Sequence, residues 1–318
     1  MDIRTWSILG PRGTFGLALF EQAKVMDRIV ALTADLGITS GLERFKAGFP
    51  DRFYNVGIAE QNLIGVSAGF AASGFVPFCS TFSNFASMRS CEQIRHYLGY
   101  MKENVKVIGL GAGFSMGMFG ITHYGIEDVS AIRGIPNISI VAPADCTETV
   151  KAVMAASEFF GPVYIRLTGV MNNPIVYRND YNFEIGKAIT LREGSDVAII
   201  ASGTMVAESL KACKILEERG ISASLIDMHT IKPVDSELID KLFTKFKIMV
   251  TVEEHSVIGG LGSAVAEYAA GKKEKIKQIM IGVNDYFPSA GDYRYMLEQC
   301  GLTSSQIAEK VIAEINLL

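Results

Sequence analysis

The chain has few of the residues that build covalent or metal-bound frameworks. Its 318 residues include only five cysteines, four histidines and one tryptophan. The cysteines are odd in number and scattered, and none forms a CxxC pair, which argues against a disulfide framework and against a zinc site. We therefore expect reduced thiols in the core of a cytoplasmic protein.

Long apolar runs and an excess of basic charge are also missing. No apolar run is long enough to span a bilayer, and the opening segment MDIRTWSILGPRGTF lacks the charged and apolar regions of a signal peptide. The net charge is −4, so nucleic acid is not expected as the main partner, because phosphate binding needs a basic face. Apolar residues make up 49% of the chain, which suits buried cores and a large subunit interface.

Short, nearly continuous apolar runs recur between helical patterns. Such runs are typical of strands buried on both faces, and their alternation with helices predicts parallel sheets with crossover helices. A segment rich in Asn, Gly and Pro, 168–190, breaks the alternation, so we place a domain boundary there. The predicted strands are 29–35, 105–110, 138–143, 163–167, 196–202, 222–228, 247–254 and 277–283.

In open α/β sheets, ligands bind beyond the carboxyl ends of the strands, which directs attention to the loops after these runs. GLGAGF at 109–114 follows a predicted strand and is similar to the start of a nucleotide-binding fingerprint. However, Phe114 replaces the third glycine, and no acidic residue follows at the required distance. A dinucleotide site is therefore disfavoured.

Three segments contain candidate chemical groups. Glu60 begins a helix of small and apolar residues, where its carboxylate either serves chemistry or is stabilised by the helix macrodipole. Phe82, Phe85 and Met88 are spaced by three, so we expect them to line one helical face, as core or as a shelf for a flat heterocycle. His123 follows a glycine-rich loop and is either structural or able to transfer a proton near neutral pH.

Taken in order, these segments are similar to a known family. GIAEQN, STFSNF and THYG followed by EDVSAIRGIPN together resemble transketolase and 1-deoxyxylulose 5-phosphate synthase. DMHTIKPVD followed by VTVEEHSVIGGLGSAVAE resembles the C-terminal domain of the same superfamily. The resemblance covers nearly the whole chain. It implies an α/β fold with two parallel or mixed-sheet domains, a pyrimidine-binding domain at 1–175 and a transketolase C-terminal domain at 186–318.

The resemblance also implies a cofactor, thiamine diphosphate (ThDP), and roles for single residues. Glu60 matches the family Glu that contacts N1′ of the aminopyrimidine ring and helps the 4′-amino group to remove a proton from the thiazolium ring. His123 matches a His that contacts substrate hydroxyls. Further cofactor contacts are implied at Asp35, Leu36, Phe82, Phe85 and Met88, and substrate contacts at Arg12, Thr39, Ser40, Phe119 and Arg166.

One family motif is missing. ThDP enzymes hold the diphosphate through Mg²⁺, with a GDG segment followed by an Asn, and this chain contains no GDG. The resemblance therefore implies that the Mg²⁺ ligands come from an N-terminal, diphosphate-binding transketolase subunit, with an α2β2 heterotetramer as the expected assembly. Because the sequence begins naturally with Met, we expect a split enzyme in preference to a fragment.

The substrate region departs from the family pattern. Phe119, next to Met118, stands near the place of an acidic residue that faces sugar hydroxyls, and Gly111 stands at that of a phosphate-binding His. We therefore expect two-carbon ketol transfer between sugar or sugar-phosphate substrates, with a less polar or modified acceptor. The alternatives are pyruvate-decarboxylating transfer as in 1-deoxyxylulose 5-phosphate synthase, the β subunit of a 2-oxo-acid dehydrogenase, and a pseudoenzyme.

Overall fold

The computed structural model describes residues 2–273 and 275–317, and its strands lie in two sheets. The strands are β1 (Ile29–Thr33), β2 (Phe53–Asn55), β3 (Val76–Phe82), β4 (Lys106–Ala112), β5 (Ser139–Val141), β6 (Val163–Thr168), β7 (Ile189–Arg192), β8 (Val197–Ala201), β9 (Ala223–Asp227), β10 (Thr230–Lys232), β11 (Ile248–Ser256) and β12 (Lys277–Val283). The first sheet has the order β10-β5-β6-β4-β3-β1-β2, and the second has the order β12-β11-β8-β9-β7.

Helices connect these strands and cover both sheets. They are α1 (Ile3–Ala23), α2 (Glu43–Gly48), α3 (Glu60–Ala72), α4 (Cys91–Gln93), α5 (Asp128–Arg133), α6 (Cys146–Glu158), α7 (Met205–Glu218), α8 (Ser236–Lys245), α9 (Leu261–Ala270), α10 (Tyr293–Gln299) and α11 (Ser304–Ile315). Wide π-helical turns occupy Phe85–Arg89 and Ile94–Tyr100, and 3₁₀ turns occupy Pro50–Arg52 and Gly117–Thr122. None of the helices in the described residues is both long and apolar enough to cross a membrane.

Both sheets are largely parallel, with one antiparallel strand at an edge of each. β7 pairs antiparallel with β9, and β10 pairs antiparallel with β5. The central strands are fully buried because helices pack on both faces, which explains their continuous apolar sequence. The prediction of an α/β fold with two parallel or mixed sheets is confirmed.

All eight predicted strands are present, but a strand at the centre of the first sheet was missed. β3 lies between β4 and β1 and contains Pro77, a residue that usually argues against a central strand. Since Phe82 is the last residue of β3, the expectation that Phe82, Phe85 and Met88 line one helical face is wrong. Phe82 belongs to the strand, and the other two belong to the π-helical turn that follows it.

The two halves of the chain are joined by an irregular segment and by a shared sheet. No helix or strand is formed between Thr168 and Ile189 in the described residues, as expected for the boundary segment. β10, however, comes from the second half of the chain and completes the edge of the first sheet. The domain bounds 1–175 and 186–318 stay predictions.

Candidate active site

The candidate site lies at the carboxyl edge of the first sheet. β1, β3 and β4 are neighbours and parallel, so their carboxyl ends meet at one edge. Asp35 follows β1, Phe82 ends β3, and Gly111 lies near the end of β4. This edge gathers most of the side chains that the sequence singled out.

Three phenyl rings and one imidazole form an aromatic cluster, defined here as Phe82, Phe85, Phe119 and His123. The ring centroid of Phe82 lies 5.5 Å from that of Phe85 and 5.6 Å from that of His123. The His123 ring is also 5.7 Å from Phe85 and 5.3 Å from Phe119. Phe82 is only 7% exposed, whereas Phe119 is 64% exposed. The cluster is therefore anchored on the sheet and open towards solvent.

Glu60 is joined to this cluster through an arginine that the sequence did not single out. Glu60 is the first residue of α3, and only 7% of its surface is exposed. Its Oε1 atom lies 3.2 Å from Nη1 of Arg89, whose guanidinium is 3.6 Å from the ring centroid of Phe85. Within the described residues, no hydrogen bond reaches Oε2. Glu60 is thus a buried carboxylate that keeps one oxygen available beside an aromatic surface.

The surface around the start of α3 is uncovered in this chain. A Cβ atom at Gly57 or Gly69 would meet no atom within 4 Å, although small residues usually mark a close approach. Ile58, two residues before Glu60, is 78% exposed. An exposed apolar side chain beside a buried carboxylate, with uncovered glycines before and along α3, is compatible with a surface that another protein covers.

Asp35 and Leu36 line a cleft of about 510 Å³ to which Thr39 also contributes. The backbone N–H of Asp35 donates to Oδ1 of Asn55 at 3.0 Å, and Nδ2 of Asn55 donates back to the Asp35 carboxylate at 2.9 Å. The Gly57 N–H donates to the same Asn55 oxygen. Asn55 therefore links the loop after β1 to the segment that leads into Glu60, a role that no local sequence pattern indicated.

His123 lies at the end of the 3₁₀ turn and is half-buried. Its Nδ1 atom is 2.9 Å from the hydroxyl of Thr122. Nδ2 of Asn84 donates to the Thr122 carbonyl at 2.9 Å, while Oδ1 of Asn84 is buried without a partner among the described residues. Asn84 thus holds the backbone next to His123 and retains an acceptor for a further donor.

The predicted substrate residues lie in different surroundings. Arg12 is half-buried, and its Nη1 atom is 4.0 Å from the sulfur of Met116; burial lowers the pKa of its guanidinium. Ser40 is fully buried, and its hydroxyl donates to the Leu36 carbonyl at 2.7 Å and lies 2.9 Å from the Ser80 hydroxyl. Arg12 keeps a cation without a carboxylate partner in the described structure, whereas the internal bonds of Ser40 argue against a substrate contact.

Arg166 lies inside the fold. It is 3% exposed, and its Nε atom donates to both carboxylate oxygens of Asp128, at 3.0 and 2.9 Å. Its Nη2 atom donates to the carbonyls of Gly125 and Glu254. Because this guanidinium is buried and paired where the two sheets meet, the geometry argues against the predicted phosphate contact and favours a structural role.

The GLGAGF segment does not form a phosphate-binding loop. Its first residues belong to β4, and a Cβ atom at Gly109 would lie 2.2 Å from the Tyr164 hydroxyl. Phe114 is fully buried. Over residues 2–273 and 275–317, no group of three His, Cys, Asp or Glu side chains is arranged to hold a metal ion. The glycines in this segment serve close packing.

Comparison with known families agrees with this arrangement. The model of the transketolase pyrimidine binding domain matches residues 11–170, and that of the transketolase C-terminal domain matches residues 186–307. The chain belongs to the transketolase family. The first matched region of this transketolase-type chain contains every strand of the first sheet except β10, and the second contains β10 and the whole second sheet. The candidate site lies at the edge of the first sheet.

Some relatives match this transketolase-type chain over nearly their whole length. A protein of Methanocaldococcus jannaschii that bears the name transketolase C-terminal section is 42% identical over 308 residues, 96% of each chain. The 6-deoxy-6-sulfo-D-fructose transketolase subunit SqwH of Clostridium sp. is 42% identical, covering 93% of this chain and 91% of the relative. A solved structure named "Split gene transketolase, inactive beta4 tetramer" is similar with a TM-score of 0.88 and 42% identity, over 97% of this chain and 99% of that one.

Proposed function

We propose that this chain is one subunit of a ThDP-dependent transferase that moves a two-carbon ketol unit between sugar-like substrates. The observation that carries the proposal is the buried Glu60 carboxylate beside the aromatic cluster, at the carboxyl edge of a parallel sheet. A flat, basic heterocycle needs these groups: an acid that faces a ring nitrogen and aromatic rings that pack on its faces. Family membership supports the same cofactor.

The residues of this chain fit only part of that cofactor. Glu60, Phe82 and Phe85 would hold the aminopyrimidine ring, with Asp35, Leu36 and Met88 around it. The diphosphate and its Mg²⁺ need oxygen ligands that the described part of this chain does not assemble. We therefore assign that half of the site to an N-terminal transketolase subunit in an α2β2 assembly. The uncovered face of α3 supports this assignment, as do the relatives named as a transketolase subunit and as a split-gene transketolase.

Two side chains of this chain then have separate roles, one towards the cofactor and one towards the substrate. Glu60 would share a proton with a ring nitrogen of the cofactor, and its burial would keep water from competing for that proton. The chemistry expected from bound ThDP is an electron sink for the cleavage of a carbon–carbon bond of the substrate. His123, fixed by Thr122, is a half-buried imidazole that can bind a substrate hydroxyl and move its proton.

The substrate side of the site is less polar than a sugar requires. Phe119 and Met118 are 64% and 70% exposed and present apolar surface next to His123. Arg12 offers the nearby cation for an anionic group on the substrate. We propose a modified, anionic sugar or sugar phosphate as the substrate class. The relative named for 6-deoxy-6-sulfo-D-fructose, a sugar of this kind, supports that class.

The deciding experiment combines calorimetry with kinetics. ThDP and Mg²⁺ are titrated into this chain alone and into its complex with an N-terminal transketolase subunit from the same organism. We expect binding only in the complex. Glu60→Gln should leave the complex assembled and lower its turnover by about 10²–10⁴-fold, because general acid–base catalysis contributes that much. Glu92→Gln, at an exposed acid on α4, is the matched control.

Three outcomes would contradict the proposal. Full activity of Glu60→Gln would remove the central role of this carboxylate. Tight binding of ThDP by this chain alone would show that it holds the diphosphate without a partner. Release of CO₂ during turnover would identify a decarboxylating transfer in place of ketol transfer.

A further inference from the structure

The loop that carries Phe119 and His123 is closed at a narrow neck. We define the substrate loop as residues 113–125, which leave the end of β4 and return before α5. At the neck, the N–H of Gly113 donates to the Gly125 carbonyl at 2.7 Å, and the N–H of Gly125 donates to the Gly113 carbonyl at 3.1 Å. A group that binds this neck therefore restrains the backbone that carries Phe119 and His123.

A carboxylate of the second sheet binds that neck. Glu254, on β11, is 1% exposed. Its Oε1 atom accepts the backbone N–H of Phe114 at 2.5 Å. Its Oε2 atom accepts the hydroxyls of Thr204 at 2.5 Å and Tyr293 at 2.7 Å. Three donors from three segments converge on one buried side chain, an arrangement that holds it in a single position.

The neck leaves no room for a side chain at Gly113. Gly113 has a φ of 61°, and a Cβ atom there would lie 2.1 Å from Oε1 of Glu254. Glycine is needed at this position both for its backbone conformation and for the approach of the carboxylate.

The returning end of the substrate loop is held from the same side. Arg166 donates from Nη2 to the Gly125 carbonyl at 3.1 Å and to the Glu254 carbonyl at 2.9 Å. The Tyr124 hydroxyl donates to the Pro288 carbonyl at 3.1 Å. The loop is therefore attached to the second half of the chain at both ends, while its tip stays exposed.

We infer that Glu254 is a positioning residue, through which the C-terminal half of the chain sets the place of Phe119 and His123 at the substrate site. The inference rests on the proposed function for the roles of those two residues. It predicts that Glu254 affects substrate binding and turnover but not cofactor binding, because Glu60, Phe82 and Phe85 lie outside the substrate loop.

The test compares two neighbouring buried acids. Glu253 is 2% exposed and therefore as deeply buried as Glu254. Its carboxylate, however, accepts hydrogen bonds from the N–H groups of Leu261 and Gly262 and so caps α9. Glu254→Gln and Glu253→Gln thus each replace one buried carboxyl group on the same strand, and only the first acts on the substrate loop. Tyr293→Phe, which keeps the carboxylate and removes one donor, is a second and milder variant.

Hydrogen exchange and kinetics are measured on the complex with the partner subunit. In Glu254→Gln we expect amide exchange across residues 113–125 to rise about tenfold, as the neck opens more often. We also expect kcat/KM to fall about tenfold through a higher KM, with an unchanged Kd for ThDP. Tyr293→Phe should give smaller changes of the same kind, and Glu253→Gln should give none in the substrate loop.

Equal loop exchange in the Glu254→Gln and Glu253→Gln complexes would overturn the inference, whether both are raised or both unchanged. If Glu254→Gln does not fold, Tyr293→Phe decides, and unchanged exchange in its substrate loop has the same meaning. A wild-type complex without ketol transfer would refute the proposed function instead. The exchange data would still decide whether Glu254 holds the loop.

Discussion

A pair of buried carboxyl groups between the two halves of the chain should make the stability of this protein fall as the pH rises. Glu148 on α6 and Asp227 at the end of β9 are both fully buried and face each other. The Tyr177 hydroxyl donates to Asp227 at 2.7 Å, and the Tyr181 hydroxyl donates to Glu148 at 3.1 Å. Among the residues that the structure describes, neither carboxyl group has a basic partner, so ionising both would leave two buried negative charges side by side.

Burial therefore raises the pKa of Asp227 from its ordinary 3.8 to about 7, and burial together with the Asp227 charge raises the pKa of Glu148 well above its ordinary range. Between about pH 4 and pH 7 the folded chain then binds more protons than the unfolded chain. Stability is complete below this window and is lost as the pH rises through it. From pH 5 to pH 8 the loss attributable to Asp227 is about 2–3 kcal/mol.

Asp227→Asn should remove this part of the pH dependence, since the amide still accepts the Tyr177 hydroxyl and cannot ionise. At roughly 2 °C per kcal/mol, the wild-type melting temperature should fall about 4–6 °C further than that of Asp227→Asn between pH 5 and pH 8. Differential scanning fluorimetry in a series of buffers measures this difference. Glu218→Gln, at an exposed acid on α7, is the control and should follow the wild type. Parallel melting curves for Asp227→Asn and the wild type would refute the argument.

Three further substitutions test other parts of the structure. Lys106→Met should lower the free energy of unfolding by about 1–3 kcal/mol, measured by urea titration, because it leaves two partly buried carbonyls without their donor; an unchanged midpoint would contradict this. Arg89→Met should tighten ThDP binding by the complex about 3–10-fold in calorimetry, since it frees the Glu60 carboxylate; weaker binding would instead make Arg89 part of the cofactor site. Phe119→Asp should raise the turnover of ordinary sugar phosphates in steady-state assays, and a fall would count against the apolar-substrate argument.

The sheet interiors could be predicted from the sequence because a parallel strand covered on both faces has to be apolar throughout. β1, β4 and β8 are of this kind, and each is present at the predicted place. β3 was not predicted because a proline interrupts it and its aromatic residues had suggested a helix. β10 was not predicted because it pairs with β5, which is far away in sequence, and such pairing leaves no local sequence pattern.

The residues of the candidate site also divide into those that a local motif predicts and those that it does not. Glu60, Phe82 and His123 stand in motifs that can be read from the chain. Asn84 and Arg89 could not be found in this way, because each acts by a contact across the sheet edge, with the Thr122 carbonyl and with Glu60. A motif records which residues follow one another, whereas these roles depend on which loops the parallel strands bring together.

Arg166 shows why the second half of the chain belongs in any account of the site. An arginine at the end of a strand is compatible with an anion contact, and the sequence alone gives no reason to prefer another role. The structure surrounds it with Asp128 and with the carbonyls of Gly125 and Glu254. A buried guanidinium is stable only when its charge and its N–H groups are all met, so these contacts, once made, are costly to break. The charge of Arg166 is thus committed to joining the two sheets, so the proposal of an anionic substrate depends on other cations, such as Arg12.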